Sequence, residues 1–184
     1  MQMSTTLKIK KRTLWVIAVA VVLVVGFFFL KGNSRNEVSD VANNAIGAQV
    51  GNIALDFSLK DVSGNVVSLS QFKGKKVVLA FFATWCTPCQ IEASRLKQVD
   101  DETGGEKFVV YQIGVDNRES EDDLRNFKNQ FGNDDWIVGF GFDVAQKYNV
   151  RSLDTTLIID ENGKIVYRDN GVPASFEDLR KYLT

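Results

Sequence analysis

Residues 76–92 read KVVLAFFATWCTPCQIE, a stretch in which a strand hands over to a helix across two cysteines. Lys76 to Ala83 is a nearly continuous apolar run of strand length, which predicts a strand covered on both faces at the centre of a sheet. From about Cys86 to Val99 the spacing turns helical. Pro88 fits there because the amides of a first helical turn need no intrahelical acceptor. Cys86 is thereby placed at the helix N-terminus, where unpaired amides and the positive end of the helix dipole favour a thiolate over a thiol. Cys89 follows three residues later on nearly the same helix face. The pair reads as a nucleophile and a resolving thiol: Cys86 attacks a partner disulfide, and Cys89 displaces the product as the two sulfurs join. On the residues alone, two buried thiols that never react, or a static disulfide, stay open as alternatives.

On either side of this segment the element types alternate. Extended pieces around Asp56–Leu59 and Val66–Leu69, with Asp61–Asn65 turning between them, predict a hairpin at the domain's edge. After the cysteine helix come a strand over Phe108–Gly114 and an acidic helix that starts near Ser120 and ends before Gly132. A short helix over Val144–Tyr148, strands over Thr155–Ile159 and Lys164–Arg168, and a last helix over Ser175–Leu183 complete the chain. Strand-helix-strand order needs a parallel crossover, whereas the last two strands read as antiparallel. The expected class is α/β, one mixed sheet with helices on its faces. Phe81, Phe82 and Trp85 read as core or rim packing, and the acidic run Glu119–Asp123 as a helix start with a solvated face.

The 184 residues hold one ordinary domain plus an appendage. Histidine is absent, which removes serine-histidine and cysteine-histidine pairs, imidazole bases and every histidine-dependent metal site. Two cysteines are too few for a disulfide-stapled scaffold and, without histidine, for an ordinary four-ligand zinc site. Gln90 stands where haem attachment would need histidine. Residues 51–184 carry 16 basic and 21 acidic groups, a balance that argues against nucleic-acid binding. Leu14–Leu30, LWVIAVAVVLVVGFFFL, runs seventeen positions without a charge and predicts a transmembrane helix, with a cleaved signal peptide as the competing reading. Lys8, Lys10, Lys11 and Arg12 on one flank outweigh Lys31 and Arg35 on the other, so the N-terminus is expected in the cytoplasm. The expected organisation is a cytoplasmic basic segment at 1–13, the anchor at 14–30, a linker at 31–50 and an extracytoplasmic domain at 51–184.

VVLAFFATWCTPCQIE resembles the active-site segment of membrane-anchored, thioredoxin-like thiol-disulfide oxidoreductases of the TlpA/ResA type. ALDFSLKDVSGNVVSLSQFKGK is similar to that family's N-terminal hairpin and lead-in, and YNVRSLDTTLIIDENGKIV to its later strand pair. The resemblance implies a thioredoxin fold with an N-terminal β-hairpin extension, preceded by one transmembrane helix. It implies disulfide exchange outside the cytoplasm, as a reductant in protein or cytochrome c maturation. The partners so implied are exported clients with disulfides or thiols and a membrane thiol protein as electron donor or acceptor; no cofactor and no metal is expected. Trp85, Cys86, Pro88 and Cys89 match the family motif position by position, and Trp85, Pro88, Leu153 and Asp154 fall on the substrate side. Glu92 stands three residues beyond the second cysteine, where the family has a glutamate that exchanges protons with a thiol. Helical spacing puts it on the stripe of Cys89, Leu96 and Val99 and predicts a partly buried carboxyl that resists ionisation, against the alternative of a solvated surface glutamate.

One position departs from the family. Asp154 occupies the slot of the cis-proline that faces the cysteines, and the chain's prolines are Pro88 and Pro173 alone. A cis bond before a non-proline residue costs about 3 kcal/mol, so the loop is expected either to keep that strain or to be trans and remodelled. A carboxylate here would raise the thiol pKa, and a proline restored at 154 is expected to speed exchange; an ordinary solvent-facing turn residue is the other reading. Two further functions compete on the same fold. A thiol peroxidase resembles a Pro-x-x-x-Thr-x-x-Cys arrangement, whose places Leu79 and Ala83 fill, and a Cu(I) carrier would use the two thiolates as soft ligands. A non-catalytic tethered binding module is the third.

Overall fold

The computed structural model describes residues 45–184. The basic segment, the apolar run at 14–30 and residues 31–44 of the linker lie outside the described residues, and among the described residues no helix is long and apolar enough to cross a membrane.

Residues 45–54 bind the domain through main-chain bonds: Gly51 N–H donates to the Ile165 carbonyl at 2.8 Å, and Ala54 N–H to Gly163 at 2.8 Å. β1 (Ser58–Lys60) and β2 (Val66–Ser68) pair antiparallel, and a single 3-10 turn at Leu69–Phe72 leads to β3 (Lys76–Phe82). Then follow α1 (Thr87–Thr103), β4 (Phe108–Gly114), α2 (Glu121–Phe131), β5 (Ile137–Phe140), α3 (Phe142–Lys147), β6 (Thr155–Ile159), β7 (Ile165–Arg168) and α4 (Phe176–Leu183).

Five strands make one sheet in the order β5-β4-β3-β6-β7, with β3 parallel to β4 and antiparallel to β6. β3 is the central strand, as its apolar run requires, and alternate residues serve opposite faces. Val78 and Phe82 join Cys86, Cys89, Leu96, Leu124 and Leu179 in one core, where α1, α2 and α4 lie. Val77, Leu79 and Phe81 join Tyr111, Val144 and Tyr148 in the other. β6 and β7 are antiparallel.

Several boundaries shift by a residue or two, α3 among them, and two differences are larger: the end of α1 and the whole of β5. α1 runs one turn past Val99 to Thr103, because the polar turn that ends the apolar stripe is itself held: Asp100 is 1% exposed and accepts the Trp136 indole N–H at 2.7 Å. Gly104, with φ 84°, then ends the helix in the left-handed conformation that glycine favours. β5 was not expected at all. Its four residues include Gly139, where a side chain would meet the Lys60 carbonyl oxygen at 2.2 Å, so the close passage of β1 dictates the residue that hides the strand.

Candidate active site

β3 delivers the chain to Ala83, and residues 84–86 turn it into α1. Cys86 is the N-cap residue of α1, with φ −78° and ψ 103°. Cys89 N–H points at Cys86 Sγ, 3.3 Å away, so a first-turn amide addresses the sulfur directly. The two cysteines are joined as a disulfide with their Cα atoms 5.3 Å apart. Both are buried, whereas Trp85 and Pro88 beside them are exposed, Trp85 by 58%. The helix start therefore offers two things: amide stabilisation of a Cys86 thiolate on opening, and an exposed aromatic edge next to it.

The loop between β4 and α2 clasps this turn from the side. The Trp85 indole N–H donates to Asp116 Oδ2 at 2.7 Å, and Arg118 donates to the same carboxylate at 2.9 and 2.6 Å. Those Arg118 bonds, its backbone N–H and the Trp85 bond hold the Asp116 carboxyl well below the usual range. Glu119 accepts from Thr84 N–H at 2.7 Å and from the Thr84 hydroxyl. The reading of Glu119–Asp123 as a helix start with a solvated face holds for Glu121, Asp122 and Asp123, which open α2 exposed to solvent with Asp123 in a capping box with Ser120, whereas Glu119 departs from it by reaching back to Thr84. Asp116 has no signature in the sequence either, since its Trp85 partner lies 31 positions earlier and leaves no periodic trace, and Arg118 follows from Asp116. Thr84, Trp85, Asp116, Arg118, Glu119 and Asp123 line a shallow cleft of about 640 Å³.

Glu92 lies one turn beyond Cys89 and is 3% exposed, which removes the solvated alternative. Its carboxyl accepts the Thr156 hydroxyl and the Ala174 N–H, the latter at 2.7 Å. Burial pushes it up to about 8, the two hydrogen bonds opposing and the nearby Asp169 and Asp154 adding to the rise. An acid whose folded value lies above its ordinary 4.5 contributes fully below about 4.5, and that contribution is lost as pH rises toward 8. Urea denaturation of the oxidised chain is therefore expected to show stability falling between pH 5 and 8, with Glu92→Gln flattening the fall. Equal slopes in both proteins would mean that Glu92 is ionised throughout.

Leu153 is half-buried against the core that holds the cysteines. Asp154 follows it, and no peptide bond among the described residues is cis. The loop is trans and remodelled: Asp154 takes φ 60°, and its N–H donates to the Phe81 carbonyl at 3.0 Å. The sequence reading set Asp154 on the substrate side, but the left-handed turn carries the side chain inward, leaving 4% exposed. The structure thus brings Cys86, Cys89 and Leu153 into one core, stands Trp85 and Pro88 on the surface beside it, and buries Glu92 and Asp154. For metals, no group of three His, Cys, Asp or Glu side chains among the described residues is arranged to hold an ion.

Residues 50–168 match the AhpC/TSA family. The chain is similar to thioredoxin-like protein YneN of Bacillus subtilis (strain 168), 33% identical over 151 residues that cover 82% of this chain and 86% of YneN. It is similar to the thiol-disulfide oxidoreductase ResA of Bacillus thuringiensis subsp. konkukian, 29% identical over 177 residues covering 95% and 96% of the two chains. Among solved structures it resembles a thiol:disulfide interchange protein of the thioredoxin family from Chlorobium tepidum TLS. That likeness has a TM-score of 0.62 and 26% identity over 71% of this chain and 92% of the other.

Proposed function

Because the chain belongs to the AhpC/TSA family, has the thioredoxin fold and is a thiol-disulfide oxidoreductase of the TlpA/ResA type, we propose that it reduces disulfides of exported client proteins, in protein or cytochrome c maturation. The observation that carries the catalytic part is the sulfur at the helix cap: Cys86 Sγ faces the Cys89 N–H, a setting that lowers a thiol's pKa and makes it the attacking sulfur. The Cys86 thiolate attacks a client disulfide, and one client sulfur leaves. Cys89 then attacks Cys86 Sγ, the enzyme disulfide closes, and the second client sulfur departs with the electron pair. Glu92 is the proton partner of the buried Cys89. Trp85, Pro88 and Leu153 form the edge against which the client segment lies, and Asp154 stands behind that edge.

Residues 14–30 anchor the chain with its N-terminus in the cytoplasm, and the domain works on the outer side, where a membrane thiol protein returns its electrons. What supports this is the charge asymmetry about the apolar run. Thiol peroxidase chemistry is the weaker reading, since Leu79 sits wholly in the core with Phe57 and Tyr111, and Ala83 offers no hydroxyl beside the sulfur.

The test is the midpoint potential of the Cys86–Cys89 couple, measured by equilibrating the full chain in glutathione buffers. A reductant is expected nearer to thioredoxin, about −270 mV, than to the oxidant DsbA, about −120 mV. A value at the oxidising end overturns the proposed direction of electron flow.

A further inference from the structure

Glu92 shares its buried position with a second acid. Asp154 is 4% exposed, its Oδ2 has no partner, and its side chain lies within hydrogen-bonding reach of Glu92. Two carboxylates have no hydrogen between them, so this contact requires a proton on one of the two.

Among the described residues no cation pairs directly with either acid to take the proton's place. From α1, Arg95 acts on Asp154 from a distance while its guanidinium donates to the Ala174 carbonyl at 3.0 Å. From β7 and the residue after it, Arg168 donates to the Ala48 and Tyr148 carbonyls, and Asp169 brings a further acid, accepting Thr156 N–H at 2.7 Å and the Tyr167 hydroxyl at 3.1 Å. Asp178, at the start of α4, is engaged with Ser175. The two sulfurs are uncharged as a disulfide. Neither Glu92 nor Asp154 has an ion-pair partner among the described residues.

We infer that Glu92 and Asp154 form a dyad sharing one proton behind the sulfur pair, with Asp154 a positioning residue that acts on disulfide exchange through Glu92. The inference rests on the thiol-disulfide reading and adds a residue to it. Its place in the closing step balances as follows. The dyad releases its shared proton to solvent, and the doubly ionised pair takes the Cys89 thiol proton as the Cys89 sulfur forms its bond to Cys86 Sγ. The bond from Cys86 to the client breaks, and the client sulfur leaves with the electron pair. It takes its proton from solvent, and the dyad is left holding the one proton received from Cys89. Asp154 sets the dyad's readiness to accept, because two ionised carboxyls in contact repel each other and each holds a proton more firmly for the other's presence.

The test follows the side-chain carboxyl carbons of Glu92 and Asp154 by carbon-13 NMR as a function of pH, in the full oxidised chain in detergent micelles. Both carbons are expected to show two inflections at common pH values, more than one pH unit apart. In Asp154→Asn, whose residue tolerates the same left-handed backbone, Glu92 is expected to titrate in one step at least one pH unit lower. The half-point of the pH-rate profile for insulin reduction moves the same way, whereas a purely structural role would lower the rate uniformly. Asp154→Gly, which also fits φ 60°, gives the same outcome if the asparagine variant misfolds. Independent single inflections in an active wild-type chain, or a half-point unmoved by both variants, overturn the dyad alone. A wild-type chain that exchanges no disulfides overturns the reading beneath it.

Discussion

Cys86→Ser is expected to lose insulin-reduction activity by about 10³-fold or more, because a serine hydroxyl is not ionised at neutral pH and the attacking thiolate disappears with it. Cys89→Ser fails differently. It keeps the nucleophile at the helix cap but cannot close the enzyme disulfide, so the Cys86–client intermediate accumulates and survives non-reducing electrophoresis. Both variants lose the same cross-link, which closes only a short loop and is worth about 2 kcal/mol in the chain-entropy account. Equal loss of stability combined with opposite trapping therefore separates chemistry from scaffold. If Cys86→Ser retains near-parental activity, or if Cys89→Ser collects no adduct in living cells, the disulfide is static and the non-catalytic reading takes its place.

Asp154→Pro is expected to be the most damaging single change outside the cysteines. The sequence reading anticipated a gain in exchange rate from restoring proline to this slot, but the backbone observed there forbids it. Proline holds φ near −65°, whereas Asp154 sits at 60°, and proline would delete the N–H that donates to Phe81 at the end of β3. The combined cost is about 3 kcal/mol, read as a fall in melting temperature of about 10 °C. Asp154→Gly, which reaches the left-handed region freely, should stay within about 1 kcal/mol of the parent. An Asp154→Pro chain that melts with the parent and reduces insulin faster would show that the loop accepts a cis-proline after all.

Much of this molecule was legible because hydrophobic pattern and capping chemistry agree. Lys76–Phe82 is apolar on both faces and turns out central, with a core against each side. Cys86-Thr87-Pro88 announces a helix start, and the cap is where that tripeptide put it. Glu92 was legible too, as a carboxylate on an otherwise apolar stripe. What escaped has a common physical origin: it depends on long-range partners that local pattern does not encode. β5 is short and broken by Gly139, whose identity is set by the passing Lys60 carbonyl. The last turn of α1 depends on Trp136 and Asn133 holding Asp100. Glu119 looked like surface until Thr84, 35 positions earlier, was found in its grasp. Asp154 could be placed in the right slot, but its sign of φ, and so the direction of its side chain, is decided by the fold around it.

The clasp on Thr84 and Trp85 has a consequence for turnover. Asp116 and Glu119 tie the turn that carries the first sulfur to the neighbouring β4–α2 loop, through bonds that do not involve the sulfurs. Opening or closing the S–S link can then proceed by side-chain rotation within a stationary frame. The clasp therefore anchors the exposed Trp85 edge by bonds that the chemistry at the sulfurs neither makes nor breaks.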